Sequence, residues 1–136
     1  MLANERKIMV VEDDKDINEL VCYNLRKHGF LVQAAYSGDE AQRLLQKDNF
    51  GVVILDVMLP GENGFSICRS IKEKPGARKT GVIMLTAKNE IKDRLYGLFL
   101  GADYYVTKPF SVEVLMSLAV DLNNENTKRG GDNVLR

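Results

Sequence analysis

Five residues stand where short apolar runs stop. Glu12 and Asp13 follow Lys7 to Val11 (KIMVV), and Asp56 follows Gly51 to Leu55 (GVVIL). Thr86 follows Gly81 to Leu85 (GVIML), and Lys108 follows Tyr104 to Thr107 (YYVT). Three carboxylates brought to one point repel one another and are costly when ionised unless a cation joins them. Oxygen ligands without histidine or cysteine suit a hard ion, and Mg2+ binds through a few carboxylates while keeping waters. Lys108 adds a compact positive charge that meets phosphate as a point charge, and Thr86 offers a hydroxyl donor. These are the parts of phosphoryl transfer, in which positioning and charge neutralisation do most of the catalysis. Asp56, at the end of the most apolar run, is the expected nucleophile, giving an aspartyl phosphate.

Such chemistry needs elements that bring distant residues to one edge. The four runs, together with Phe30 to Tyr36 (FLVQAAY), read as strands, the most apolar of them buried on both faces. Between them apolar residues recur at helical spacing. Ile17, Leu20, Val21, Leu25 and His28 precede a stop at Gly29. Ser37-Gly38-Asp39-Glu40 forms a capping box ahead of Ala41, Leu44 and Leu45, the hydroxyl and the carboxylate satisfying each other's free amides. After the turn-rich loop Met58 to Gly64 come Phe65, Cys68 and Ile71, with a stop near Pro75-Gly76. Ile91, Leu95 and Leu98 are closed by Gly101, and Ser111 caps a last helix with Leu115, Ala119 and Leu122. Five strands alternating with five helices imply an α/β fold: a parallel sheet, helices on both faces, right-handed crossovers. Ligands of such sheets sit beyond the carboxyl ends of the strands, where the five residues lie.

The chain of 136 residues is one domain by length, read as residues 1–123, with 124–136 a polar tail or the start of a linker. Nineteen basic residues balance nineteen acidic ones, so no global charge draws the chain to nucleic acid or to an anionic membrane. Two cysteines, Cys22 and Cys68, exclude a disulfide scaffold and a four-cysteine metal site, suit a reducing cytosol, and read as packing residues. The single histidine, His28, excludes a multi-histidine site and is expected to meet the last carbonyls of its helix. Asp14 reads as a helix cap. No apolar run approaches the roughly 18 residues of a membrane span, and MLANERK lacks the apolar core of a signal peptide. A cytoplasmic location is the expectation.

In four places the sequence resembles the receiver domain of bacterial two-component response regulators. These are Val10-Val11-Glu12-Asp13-Asp14, Ile54 through Gly61 (ILDVMLPG), Leu85-Thr86-Ala87, and Gly101-Ala102-Asp103 through Lys108-Pro109-Phe110. Together they span about residues 5–123. The resemblance implies a flavodoxin-like (βα)5 fold with strand order 2-1-3-4-5. It implies that Asp56 accepts phosphate from the phosphohistidine of a sensor kinase or phosphotransfer protein. Asp13 and Asp56 would ligate Mg2+ directly, Glu12 through water and Met58 through its backbone carbonyl. Thr86 would turn toward the phosphoryl oxygen, Lys108 would pair with it, and the Lys108–Pro109 bond would be cis. Tyr105 would be the switch aromatic, at rest until it turns inward as Thr86 moves, a two-state element biased by one charge event. The domain would catalyse only its own phosphorylation and dephosphorylation, and would not itself bind nucleic acid. The reading requires Asp56 to meet Asp13 and Lys108 in a pocket open to solvent.

Other readings of the same scaffold fit less well. An aspartate-nucleophile phosphatase needs a second aspartate two residues beyond the nucleophile, and position 58 is Met. A flavin carrier needs a Ser-, Thr- and Gly-rich phosphate cradle after the first strand, and Glu12-Asp13-Asp14 would repel phosphate. A receiver that works without phosphate would not need the intact constellation. Two departures from the family pattern stand out. Receivers of DNA-binding regulators often dimerise through charged residues on the fourth helix, fifth strand and fifth helix. Arg94 fits that pattern, but Leu100, Tyr104, Val114 and Leu118 stand where charges are expected, with Phe99 and Val120 nearby. An apolar interface, for a second copy or a partner, is therefore expected there. Met58 and Lys88, two residues past Asp56 and Thr86, offer no carboxylate or amide to orient attacking water, so a long-lived phosphate is expected.

Overall fold

A computed structural model describes residues 7–74 and 80–131, with the side chains of 126–131 left aside. Five strands form one parallel sheet: β1 (Lys7–Val11), β2 (Leu31–Ala35), β3 (Val52–Leu55), β4 (Gly81–Thr86) and β5 (Tyr104–Thr107). Their order is β2-β1-β3-β4-β5. Helices α1 (Lys15–Lys27), α2 (Gly38–Lys47), α3 (Gly64–Glu73), α4 (Ile91–Phe99) and α5 (Val112–Gly131) alternate with them. The fold expected from the sequence is the fold observed. The helix stop at Pro75-Gly76, the N-terminal MLANERK up to residue 6, and tail residues 132–136 lie outside the described residues.

Strand periodicity divides the core in two. Met9 and Val11, Val53 and Leu55, Val82 and Met84 point to one face, where Ile67, Cys68 and Ile71 of α3 cover them. Ile8 and Val10, Val52 and Ile54, Ile83 and Leu85 point to the other, under Val21, Cys22 and Leu25 of α1 and Leu115, Ala119 and Leu122 of α5. The central strands β3 and β4 are buried throughout, whereas β2 and β5 at the edges are half-exposed. Both cysteines are free and buried among apolar neighbours, as expected.

Local capping mostly follows the sequence. Asp14 Oδ1 accepts from the Ile17 amide at 3.1 Å, and Ser111 Oγ from the Val114 amide at 3.2 Å. His28 Nδ1 lies 2.9 Å from the Asn24 carbonyl. The capping box is shifted by one residue: Ser37 Oγ accepts from Glu40, but the Glu40 carboxylate reaches the amide of Tyr36. One element runs further than expected and one expectation needs correction. The last helix continues into the residues read as a polar tail, to Gly131. Leu115, Ala119 and Leu122 seat its first half on the sheet, and a helix once nucleated extends at little cost per residue. In α4 the periodic residues Ile91, Leu95 and Leu98 do not face the core; the buried positions are Asp93 and Gly97.

Candidate functional site

Parallel strands all present their carboxyl ends to one edge, so the residues that follow them meet there. Glu12 leaves β1 with its amide bonded to the Ala35 carbonyl of β2, and Asp56 leaves β3 with its amide on the Val11 carbonyl. Backbone pairing therefore places both acids in register. Gly64 finishes the job at β3: a Cβ there would lie 2.2 Å from the Asp56 carbonyl oxygen, so only glycine lets α3 start against the backbone of Asp56.

The geometry is compact. Lys108 Nζ donates to Glu12 Oε1 at 2.7 Å and to Asp56 Oδ2 at 2.9 Å. The Met58 amide donates to Asp56 Oδ1 at 2.9 Å and the Asp14 amide to Glu12 Oε2 at 3.0 Å. One carboxylate oxygen from each of Glu12, Asp13 and Asp56 lies within 4.8 Å of the others. Burial pushes the Glu12 carboxyl above the usual carboxylate range, with Asp56 adding to the effect and the Lys108 and Asp14 bonds opposing it. Burial works against the Lys108 ammonium, but its bonds to Glu12 and Asp56 outweigh that and raise its pKa. The Lys108–Pro109 bond is cis, as the family pattern implies.

Asp56 departs from the expected pocket open to solvent: it is buried, only 4% exposed, with Lys108 bonded to it. Beside it, exposed Asp13 lines an open depression together with Val57, Met58, Leu59, Asn63, Phe65 and Lys88. An all-oxygen cluster with one exposed and two buried carboxylates fits a hard divalent cation that keeps water on its outer side. Both oxygens of Glu12 are already hydrogen-bonded, which suits an indirect role. Asp56 also has both oxygens hydrogen-bonded, so exposed Asp13 is the carboxylate of the three most open to a cation.

Thr86 is fully buried at the end of β4, and its Oγ1 accepts from the Lys88 amide at 3.3 Å. Tyr105 differs from its expected resting position. It is already turned inward, 8% exposed, with its hydroxyl donating to the Lys88 carbonyl at 2.9 Å. Arg94 stacks on the ring, 5.6 Å from its centroid. Burial and the charge of Asp93 push the phenol up to about 12 against the pull of Arg94.

Sequence reasoning missed Asn18. It is fully buried, and its amide nitrogen donates to Glu12 and Ala35 carbonyls at 3.0 and 3.1 Å, tying the ends of β1 and β2 behind the acids. A polar residue at a core position of α1 was the available signal.

This arrangement has a counterpart in a known family. The model of the response regulator receiver domain matches residues 8–120. The chain belongs to that family. Among solved receivers, the BeF3-activated DrrB receiver domain is 40% identical, with a TM-score of 0.78, covering 87% of this chain and 97% of its own. A Francisella response regulator receiver domain is 31% identical, with a TM-score of 0.81, covering 88% of this chain and 98% of its own. A CheY-like receiver domain protein from Methanospirillum hungatei JF-1 is 25% identical, with a TM-score of 0.84, covering 91% and 98%. Receiver membership makes this a signalling domain of two-component systems. Among the described residues, no helix of this receiver is long and apolar enough to cross a membrane.

Of the residues expected to form an apolar interface, most are half-buried. Leu100, Tyr104 and Leu118 lean against the core; of the four, only Val114 is more than half exposed. The exposed apolar surface belongs to α4: Ile91 (74%), Leu95, Leu98 and Phe99 (83%). Because α4 buries Asp93 and Gly97, its apolar residues are left on the outer side.

Proposed function

We propose that this receiver accepts a phosphoryl group on Asp56 from the phosphohistidine of a sensor kinase or phosphotransfer protein, and then changes shape to control a partner or an output domain. The observation that carries the reading is the meeting of Asp56, Glu12, Asp13 and Lys108 at one strand edge, 52 to 96 residues apart along the chain for the Lys108 bonds. A carboxylate oxygen of Asp56 forms the new P–O bond while the P–N bond to the donor imidazole breaks, and the departing imidazole takes up a proton. The Met58 amide holds the carboxylate plane. Lys108, paired with Asp56 and Glu12, follows the added charge onto the phosphoryl oxygens. Asp13 and Asp56, with Glu12 behind water and the Met58 carbonyl, would hold Mg2+. A bound Mg2+ would supply charge neutralisation for the incoming phosphoryl group. Thr86 lies at the neighbouring strand end to meet a phosphoryl oxygen, and Tyr105 reads its movement through Lys88.

Neither Met58, 56% exposed, nor Lys88, which faces Asp93 at 3.6 Å, presents a base to a water on Asp56. The phosphate is therefore long-lived, on a regulatory time scale. The α4 stripe offers an apolar surface for a second copy of this chain, next to β5 and α5, and a cytoplasmic setting fits the kinase partnership. Incubation with acetyl phosphate and Mg2+, followed by intact mass, tests the core of the reading. One phosphate adduct is expected in the wild type and none in Asp56→Asn. An adduct retained in Asp56→Asn assigns the acceptor elsewhere and ends the proposal.

A further inference from the structure

Mid-helix glycine is unfavourable because it forfeits more backbone freedom than any other residue, and its presence there calls for a packing reason. Gly97 lies within α4, buried. A Cβ at this position would stand 2.9 Å from Cδ2 and 3.1 Å from Cε2 of Tyr105, and 3.6 Å from Cε1 of Phe65. A sideways shift of the Tyr105 ring within this position would break its holds. Its hydroxyl is bonded to the Lys88 carbonyl, and Arg94 lies on the ring while also donating to the Tyr105 carbonyl at 3.4 Å.

We propose that Gly97 is the positioning residue for the switch aromatic: the missing side chain is the seat that keeps Tyr105 inward, and a methyl group there turns Tyr105 out. This rests on the reading of Tyr105 as the switch. Lys88 links the two switch residues directly, its amide on Thr86 Oγ1 and its carbonyl on the Tyr105 hydroxyl. Gly97 therefore sets the starting point of that link. With glycine the ring is seated before any phosphate arrives, so phosphorylation has to move Thr86 rather than gather in the ring. The high phenol pKa, about 12, accords with a seated ring.

The test uses the full chain labelled with 3-fluorotyrosine, the Tyr105 resonance being assigned with Tyr105→Phe. The 19F solvent-isotope shift reads exposure. In the wild type the Tyr105 line is protected; in Gly97→Ala the outward population is expected to rise at least tenfold. A Tyr105 line that stays protected in Gly97→Ala overturns the proposal. Thermal unfolding gives a second arm: Gly97→Ala is expected to lower Tm in the wild type and to raise it in a Tyr105→Ala background, where alanine's helix preference acts alone. The same sign in both backgrounds also overturns it. Should Gly97→Ala fail to fold, refolding in the Tyr105→Ala background supports the proposal, and failure there too overturns it. Acetyl phosphate labelling of Asp56 is a separate readout, so loss of the signalling reading and loss of the Gly97 seat register in different measurements.

Discussion

Helices α3 and α4 are neighbours in the chain and are held in opposite ways. α3 buries Ile67, Cys68 and Ile71 in the core. α4 buries an aspartate and a glycine, and turns Ile91, Leu95, Leu98 and Phe99 outward. What fastens α4 is polar or aromatic: Asp93 on Lys88, Arg94 on Tyr105, and Tyr96 edge-on to Phe65 with ring centroids 4.8 Å apart. Elements with few buried apolar contacts open at lower free energy than the core. The difference teaches where a signal can go. Glu12, Asp13 and Asp56 follow β1 and β3, away from α4 in the sheet order. Thr86, Tyr105 and Lys108 come from β4 and β5, beside α4. Lys108 is the tie between the two sides.

The largest effect should come from cutting that tie. Lys108→Ala leaves Glu12 and Asp56 facing each other without their cation, and removing one partner of a buried ion pair costs about 3–5 kcal/mol. The cost depends on pH. The folded-state pKa of Glu12 is already raised, so its contribution is present below the ordinary glutamate pKa and lost as pH rises through the raised value. Without Lys108 that value rises further, so the deficit of the variant should widen from acid toward neutral pH in urea melts. Added Mg2+ should recover stability, by about 2.7 kcal/mol at a hundredfold excess over Kd in the wild type. A stabilisation unchanged in Asp13→Asn would remove Asp13 from the metal site.

Truncation separates the two helices. Ile67→Ala in α3 should cost about 2–5 kcal/mol through the cavity it leaves, whereas Leu95→Ala in α4 should stay within about 0.5 kcal/mol. Equal losses in denaturant titrations would show that α4 is packed as firmly as α3. Native-state hydrogen exchange sharpens the same point: α4 amides should exchange well before those of α3. Phe99→Asp should leave the fold intact and abolish any concentration-dependent association in sedimentation. The smallest effect is spectroscopic. Tyr105 should ionise near pH 12, and Tyr105→Phe should delete that step. Because the pKa is raised, the stability Tyr105 contributes is present below the ordinary tyrosine value and fades as pH climbs toward 12.

Much of this was legible in the residues alone. Strand alternation with helical spacing was enough for the order of elements, because period and turn chemistry are local. The strand-end acids, Thr86 and Lys108 could be picked out because parallel topology sends every strand terminus to one edge. The outward stripe of α4 was not legible: Ile91, Leu95 and Leu98 have the spacing of a core face, and only the sheet shows which side is covered. Asn18 escaped notice for a related reason, since its amide serves carbonyls of two strands that the chain alone does not bring together.

Composition and pattern, then, determined a five-stranded parallel α/β domain and the chemical cast of its site, since burial period and residue type are written position by position. Tertiary structure decided the rest. It set Lys108 between Glu12 and Asp56, closed Asp56 to 4% exposure, and brought the Tyr105 ring against Gly97. Those outcomes depend on distances between residues far apart in the chain, and such distances exist only after the elements have packed.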